Sequence, residues 1–398
     1  MSIVMPHLPT GKSAAFIPNK RSNPASKQDW LAQLLASADI HLNGNRAWDI
    51  HIKHPQLLKR LLSQGGLGLG ESYMDGWWDC QAIDLMLERA IRARLHEQLL
   101  TPRAWWEGLK DSVRPHAETH PGRIVGRMHY EVGNSVYQAM FDPEMTHSCA
   151  YWVEGAQTLE EAQQAKLEMI CRKLQLRPGM RVLDIGCGWG SFMRYAAKRY
   201  GVTVLGLTSS AAQLQLGQEL SRSLPVQFEL TDYRQFNLDG KSHFDRVVSI
   251  GMFEQLGQSN FSAFFQTAKR CLKDDGWMVL QTQGKTQQQG LLDDWDEKYI
   301  HPQSPMPKLD ELTQAIEAHF VVEDVHNFGA DHDLTLQHWH QRFERAWPQL
   351  RRSNDERFYR LWRFHLLSTA ASFRTRQKQI WQLVLSPKGM HKVFRRTY

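Results

Sequence analysis

The stretch RVLDIGCGWGSFMRYAAKRY, residues 181–200, constrains the fold of this chain more than any other. Val182 to Ile185 form a short β-prone apolar run that contains one acid, Asp184. Glycines follow at 186, 188 and 190, and then a segment with helical patterning. A strand that turns through glycines into a helix makes a ligand cradle. Glycine lets the backbone come close, and the helix start presents free N–H groups. The same rhythm continues downstream: "VTVLGLT", "VQFELTD", "FDRVVSIG" and "WMVLQTQG" read as strands, with helical segments such as "SSAAQLQLGQELSRS" between them. That alternation predicts a Rossmann-like, doubly wound α/β domain with a mostly parallel sheet.

The 398 residues leave room for a second, smaller unit. Residues 1–28, rich in Pro, Ser, Asn and Lys, are expected to be a mobile tail, and 29–100 a small N-terminal α+β domain. Within it "DWLAQLLASADI" and "HPQLLKRLLSQG" read as helices and "NRAWDIHIKH" contains a short strand. The next segment, "GGLGLGESYMDGWWD", is too glycine-rich for a helix interior and reads as a turn with short strands. Three prolines mark 101–122 as a linker, which leaves 123–398 as the main domain.

The five cysteines form no CxxC pair and no metal-ligand spacing, so reduced thiols and no metal site are expected. No apolar run approaches the ~18 residues of a membrane span, which reads as a soluble, cytoplasmic protein. Net charge is +6, and from Gln341 to Tyr398 there are 14 Lys/Arg against three Asp/Glu. Such a region suits an anionic partner or is a solvated helical face. No RNP sequence or Cys/His finger accompanies it, so nucleic acid is not expected.

A dinucleotide site wants G-x-G-x-x-G and an acid closing the second strand. Here the glycines run G-x-G-x-G, and the second strand ends "VLGLTSSAAQ" without an acid. An acid inside the strand before the loop, as in "VLDIGCGWG", resembles the first motif of S-adenosylmethionine-dependent methyltransferases; a generic nucleotide binder is the other reading. Asp232 could accept from an exocyclic amine, with Tyr233 as a flat surface beside it, or Asp232 is a turn residue or helix cap.

Longer segments carry a closer resemblance. "LGLGESYMDGWWD" (67–79), "HYEVGNSVYQAMFDPEMTHSCAYW" (129–152), "LDIGCGWGS" (183–191), "GMFEQLG" (251–257), "HNFGADHDLTLQHW" (326–339) and "ASFRTRQKQIWQLVLS" (371–386) resemble, in order, bacterial cyclopropane-fatty-acyl-phospholipid synthases. The resemblance implies transfer of the methyl of S-adenosylmethionine to the cis double bond of a phospholipid acyl chain. Loss of a proton to a bound bicarbonate then closes the ring. It implies a cofactor site at Asp184, Gly186 and Gly188, with Thr208 and Gln213 on the ribose and Asp232 and Tyr233 at the adenine. Ser148, beside His147, falls at the cofactor carboxylate. Glu254 and Cys149 match the bicarbonate pocket and Tyr130 a pocket aromatic. The resemblance also implies an anionic membrane surface as partner, peripheral association with the inner face of the membrane, and a homodimer.

The departures from that pattern fall in the pocket. Gln281 and Gln283 stand where relatives have histidine and isoleucine, His332 and His147 where they have tyrosine, and Gln255 where histidine is usual. Glutamine donates a hydrogen bond but takes no proton near neutral pH, whereas histidine does both. Either His332 compensates, holding the anion or acting as base, or ring closure is weakened. The alternatives to a ring are a methyl-branched product or a low-activity paralogue that binds cofactor and lipid. Methylation of a small amine on the same domain is a third reading.

Overall fold

The computed structural model describes residues 27–99, 133–153, 155–238, 243–286, 290–300, 306–390 and 393–396. The expected tail up to residue 26, the linker at 101–122 and Tyr130 lie outside the described residues. The chain first forms the helices Lys27–Ser37, Leu57–Met74 and Ile83–Arg92, with a two-residue antiparallel pair, β1 (His51–Ile52) and β2 (Trp78–Asp79).

The main sheet contains β3 (Arg181–Ile185), β4 (Thr203–Thr208), β5 (Val226–Leu230), β6 (Phe244–Ile250), β7 (Leu272–Lys285), β8 (Val321–Asn327) and β9 (Lys378–Ser386) in the order β5-β4-β3-β6-β7-β9-β8. The first five strands in that order run parallel. β9 is antiparallel to both β7 and β8. Strands buried on both faces read as unbroken apolar runs, and Val182 to Ile185 are all buried. The expected doubly wound, mostly parallel sheet is therefore present. The helix Leu159–Lys173, which precedes β3, starts in a capping box formed by Thr158 and Glu161.

One expectation fails. The segment from Gly65 to Asp79 is not a turn with strands: the helix Leu57–Met74 runs through four of its five glycines, and only β2 is a strand. Gly65, at φ 53° and ψ −130°, kinks the helix. Gly70 faces the indole of Trp295, and a Cβ there would lie 2.3 Å from Cδ1. Close packing against the helix Asp293–Tyr299 therefore outweighs the poor helix propensity of glycine.

The N-terminal helices share one hydrophobic cluster with the helices Ala330–Leu350 and Glu356–Arg374; Trp78, Ile83 and Leu87 lie in it with Leu361, Phe364 and Phe373. Arg374 pairs with Asp84 at 2.9 Å, Glu88 at 3.1 Å and Asp333 at 2.8 Å. Arg360 donates to Asp79 at 2.6 Å and to the Tyr73 carbonyl at 3.0 Å. Among the described residues three C-terminal arginines, Arg357, Arg360 and Arg374, thus pair with acids of the N-terminal region.

Replacing Gly70 by alanine should lower stability by about 1–3 kcal/mol through overpacking against Trp295, despite the ~1 kcal/mol alanine gains in an open helix. Urea unfolding measures this; an unchanged midpoint would mean that the indole shifts at no cost.

Candidate active site

β3 and β6 are neighbours whose connections leave toward opposite ends of the sheet, so a crevice opens beyond their C-terminal ends. Gly186 turns the chain there at φ 85°, and its N–H donates to the Leu207 carbonyl at 3.0 Å. A Cβ on it would lie 2.5 Å from Met252 Cβ. Gly251, ending β6, donates to the Gln281 carbonyl at 2.9 Å. Between these turns lies a cavity of about 660 Å³, within the range of small-molecule sites.

All nine residues expected around the cofactor line this cavity: His147, Ser148, Asp184, Gly186, Gly188, Thr208, Gln213, Asp232 and Tyr233. The Thr208 hydroxyl donates to Gln213 Oε1 at 3.0 Å, which joins the expected ribose pair. Asp232 accepts from the Arg234 backbone and guanidinium at 2.9 Å each, so it closes an Asx-type turn as well as lining the cavity. Tyr233 is buried edge-on to Phe264. Its hydroxyl has no hydrogen-bond partner among the described residues. The His147 ring stacks on Phe141. Burial pushes the Asp184 carboxyl up to about 7, an effect the nearby Lys166 opposes.

A second cavity, of about 60 Å³, shares His147, Ser148, Gly251 and Gln255 with the first. Cys149, Glu254, Gln281, Gln283 and His332 line it, together with apolar Ile300, Met306, Leu336, Trp339 and Ile380. One water occupies about 30 Å³ in the liquid, so the space suits a small anion. Glu254 accepts from the Thr282 hydroxyl at 3.2 Å, and burial raises its carboxyl to about 7. Gln281 Oε1 accepts from Gln382 Nε2 at 3.0 Å, which leaves the Gln281 amide N–H₂ as a donor. The Cys149 thiol donates to the Ala150 carbonyl at 3.1 Å, and burial raises it well above the usual thiol range. It stays protonated and is no nucleophile. His332 is 3% exposed and stands edge-on to Trp339 and Phe373. Burial holds it down to about 3, so the ring is neutral at physiological pH. Tyr130 lies outside the described residues.

Other lining residues escaped the reading of the sequence. Trp189, between two loop glycines, donates from Nε1 to Asn134 Oδ1 at 3.2 Å, and both line the large cavity. Lys166 lines it too, fully buried, and donates from Nζ to Ser148 Oγ at 2.9 Å. A signal for it existed. Lys166 follows Ala162 and precedes Ile170 by four residues each, which puts a lysine on the apolar face of a helix. Lys378 and His365 line the small cavity. Lys378 is ion-paired with Asp296.

The raised Glu254 pKa has a stability consequence. The unfolded carboxyl ionises near pH 4.5 and the folded one only near 7, so the folded state loses stability as pH rises through that window. Glu254→Gln removes the penalty. Its melting temperature relative to the unmodified protein should therefore rise between pH 5 and pH 8; a pH-independent difference would mean that Glu254 does not titrate there.

A sequence model of the mycolic acid cyclopropane synthetase family matches residues 118–383. The chain is 45% identical over 357 residues to the cyclopropane-fatty-acyl-phospholipid synthase of Escherichia coli (strain K12), an alignment covering 89% of this chain and 92% of that one. It is 32% identical over 340 residues to a probable fatty acid methyltransferase of Pseudomonas putida, covering 81% and 83%. A crystal structure of mycolic acid cyclopropane synthase CmaA1 complexed with SAH and CTAB superposes with a TM-score of 0.61 at 29% identity, covering 67% of this chain and 98% of that one. The glycine turn, the paired cavities and these alignments agree, and the chain belongs to the mycolic acid cyclopropane synthetase family.

Proposed function

We propose that this chain is an S-adenosylmethionine-dependent methyltransferase that forms cyclopropane rings on unsaturated acyl chains of membrane phospholipids. The observation that carries the reading is the shared wall between the two cavities. A cofactor-sized space and an anion-sized one meet at His147, Ser148, Gly251 and Gln255, so an acyl double bond at that junction would have a methyl donor on one side and a base on the other. Bound there, S-adenosylmethionine supplies the methyl group, and bicarbonate the base for ring closure.

In this reading the residues expected around the cofactor hold and orient it, and the Glu254 side orients the anion. The apolar wall of Ile300, Leu336, Trp339 and Ile380 keeps water from a cationic acyl chain. Neutral His332 serves as hydrogen-bond partner rather than base, because an imidazole held near 3 takes up a proton poorly. The Gln281 N–H₂ left over by Gln382 stands in for the donor that relatives supply by histidine. Bicarbonate in the small cavity is supported by its volume and by these donors.

An insoluble substrate calls for docking at the membrane surface. No helix among the described residues is long and apolar enough to cross a membrane. Of the C-terminal basic residues, Arg345, Arg351 and Arg352 are exposed and form no ion pair among the described residues, although the acids Asp355 and Glu356 follow closely in sequence. They sit around the turn joining the two long helices whose other portions line the small cavity at Trp339, His365 and Thr369. We assign headgroup contact to this turn and a peripheral location at the inner face of the membrane. The homodimer and the boundaries at 29–100 and 123–398 belong to the same reading; sedimentation velocity would register a dimer as twice 46.1 kDa.

Incubation with methyl-labelled S-adenosylmethionine and vesicles of cis-unsaturated phospholipid should give a labelled, ring-containing acyl chain, in bicarbonate-dependent yield. A branched or unsaturated product, separated from the ring by fragmentation, would mean that Gln281 and His332 have changed the second step. Arg351→Gln combined with Arg352→Gln should weaken binding to anionic vesicles by about thirtyfold, at ~1 kcal/mol per charge. Equal binding of the unmodified protein to neutral vesicles would remove the turn from this role.

A further inference from the structure

Lys166 is the feature of the site that the reading so far does not use. Its side chain is 0% exposed. Its ammonium is held by Ser148 Oγ at 2.9 Å and makes no ion pair with a carboxylate among the described residues. Asp142, the acid with the largest electrostatic effect on it, is taken up by its own loop, accepting from Thr146 N at 2.9 Å and Thr146 Oγ1 at 3.1 Å. The charges of Asp142 and Asp184 offset only part of the cost of burying it, and helix faces of this kind normally carry an aliphatic residue. Lys166 nevertheless lines the large cavity, together with Ser148 and Asp184.

We propose that Lys166 binds the carboxylate of the cofactor's amino-acid portion, jointly with Ser148, while Asp184 lies on the side of its ammonium. The inference rests on the cavity being the S-adenosylmethionine site and extends it: the amino-acid portion is a zwitterion, and the cavity wall offers one buried charge of each sign. Lys166 is then what selects a ligand with an intact carboxylate. Burial draws Lys166 down to about 8 and Asp184 up to about 7, and each charge offsets part of the other's shift.

The test is calorimetric binding of S-adenosylhomocysteine and of its neutral carboxamide to the unmodified protein and to Lys166→Met. The unmodified protein should prefer the carboxylate by about tenfold or more, the range of a hydrogen bond to a charged group. Lys166→Met should lose that preference by weakening S-adenosylhomocysteine alone. A variant that keeps the preference, or weakens both ligands equally, overturns the proposal. Equal affinities in the unmodified protein overturn it without any variant, which covers the case of a variant that does not fold. If neither ligand binds the unmodified protein, the cofactor reading itself fails, which is a separate outcome.

Discussion

The site exists because β3 and β6 lie side by side while the chain leaves them in opposite directions. Two backbone turns, at Gly186 and Gly251, line the crevice that this switch in direction opens. Gly186 has to be glycine on two counts, a φ of 85° and the Met252 side chain 2.5 Å from where a Cβ would stand. The ends of β4 and β5 then bring Thr208 and Asp232 to the same rim. A single sheet edge therefore carries acid, hydroxyl, amide and backbone groups within one crevice, although they are spread over 48 positions of sequence, from Asp184 to Asp232.

The other half of the site is made by elements from the chain's far end. The helix Ala330–Leu350 delivers His332, Leu336 and Trp339; the helix Glu356–Arg374 delivers His365 and Thr369; and β9 delivers Lys378 and Ile380. The N-terminal helices are the backing for this arrangement. Their shared core with the long helices and the clamp of Arg374 on Asp84, Glu88 and Asp333 fix where the two long helices stand. Arginine suits that task because its planar fork engages several carboxylates at once.

Burial sets the chemistry of the small cavity. In water, Glu254 would be ionised at pH 7 and His332 partly protonated. Inside, the first is raised to about 7 and the second lowered to about 3. Both shifts disfavour charge, and both come mainly from removal of water. Burial thus lowers the charge that these two side chains carry in the small cavity.

The glycine loop and its acid were legible in the sequence, because strand–glycine–helix patterning is local and its ligand geometry follows from backbone sterics. His147, Ser148, Thr208 and Gln213 came from the family resemblance instead, and all nine expected cofactor residues line one cavity. The mostly parallel, doubly wound sheet was legible too, from the alternation of strands and helices, whereas the strand order came only with the structure. The helix through Gly65 to Gly70 was not, because its stability comes from Trp295, some 225 residues away, and not from the propensities of its own residues. The basic C-terminal segment looked free in the sequence, yet the fold pairs Arg357, Arg360 and Arg374 with acids near the other end of the chain. The protonation of Glu254, His332 and Lys166 was decided only by tertiary structure, since a side chain's type sets which proton it can carry and burial sets whether it does.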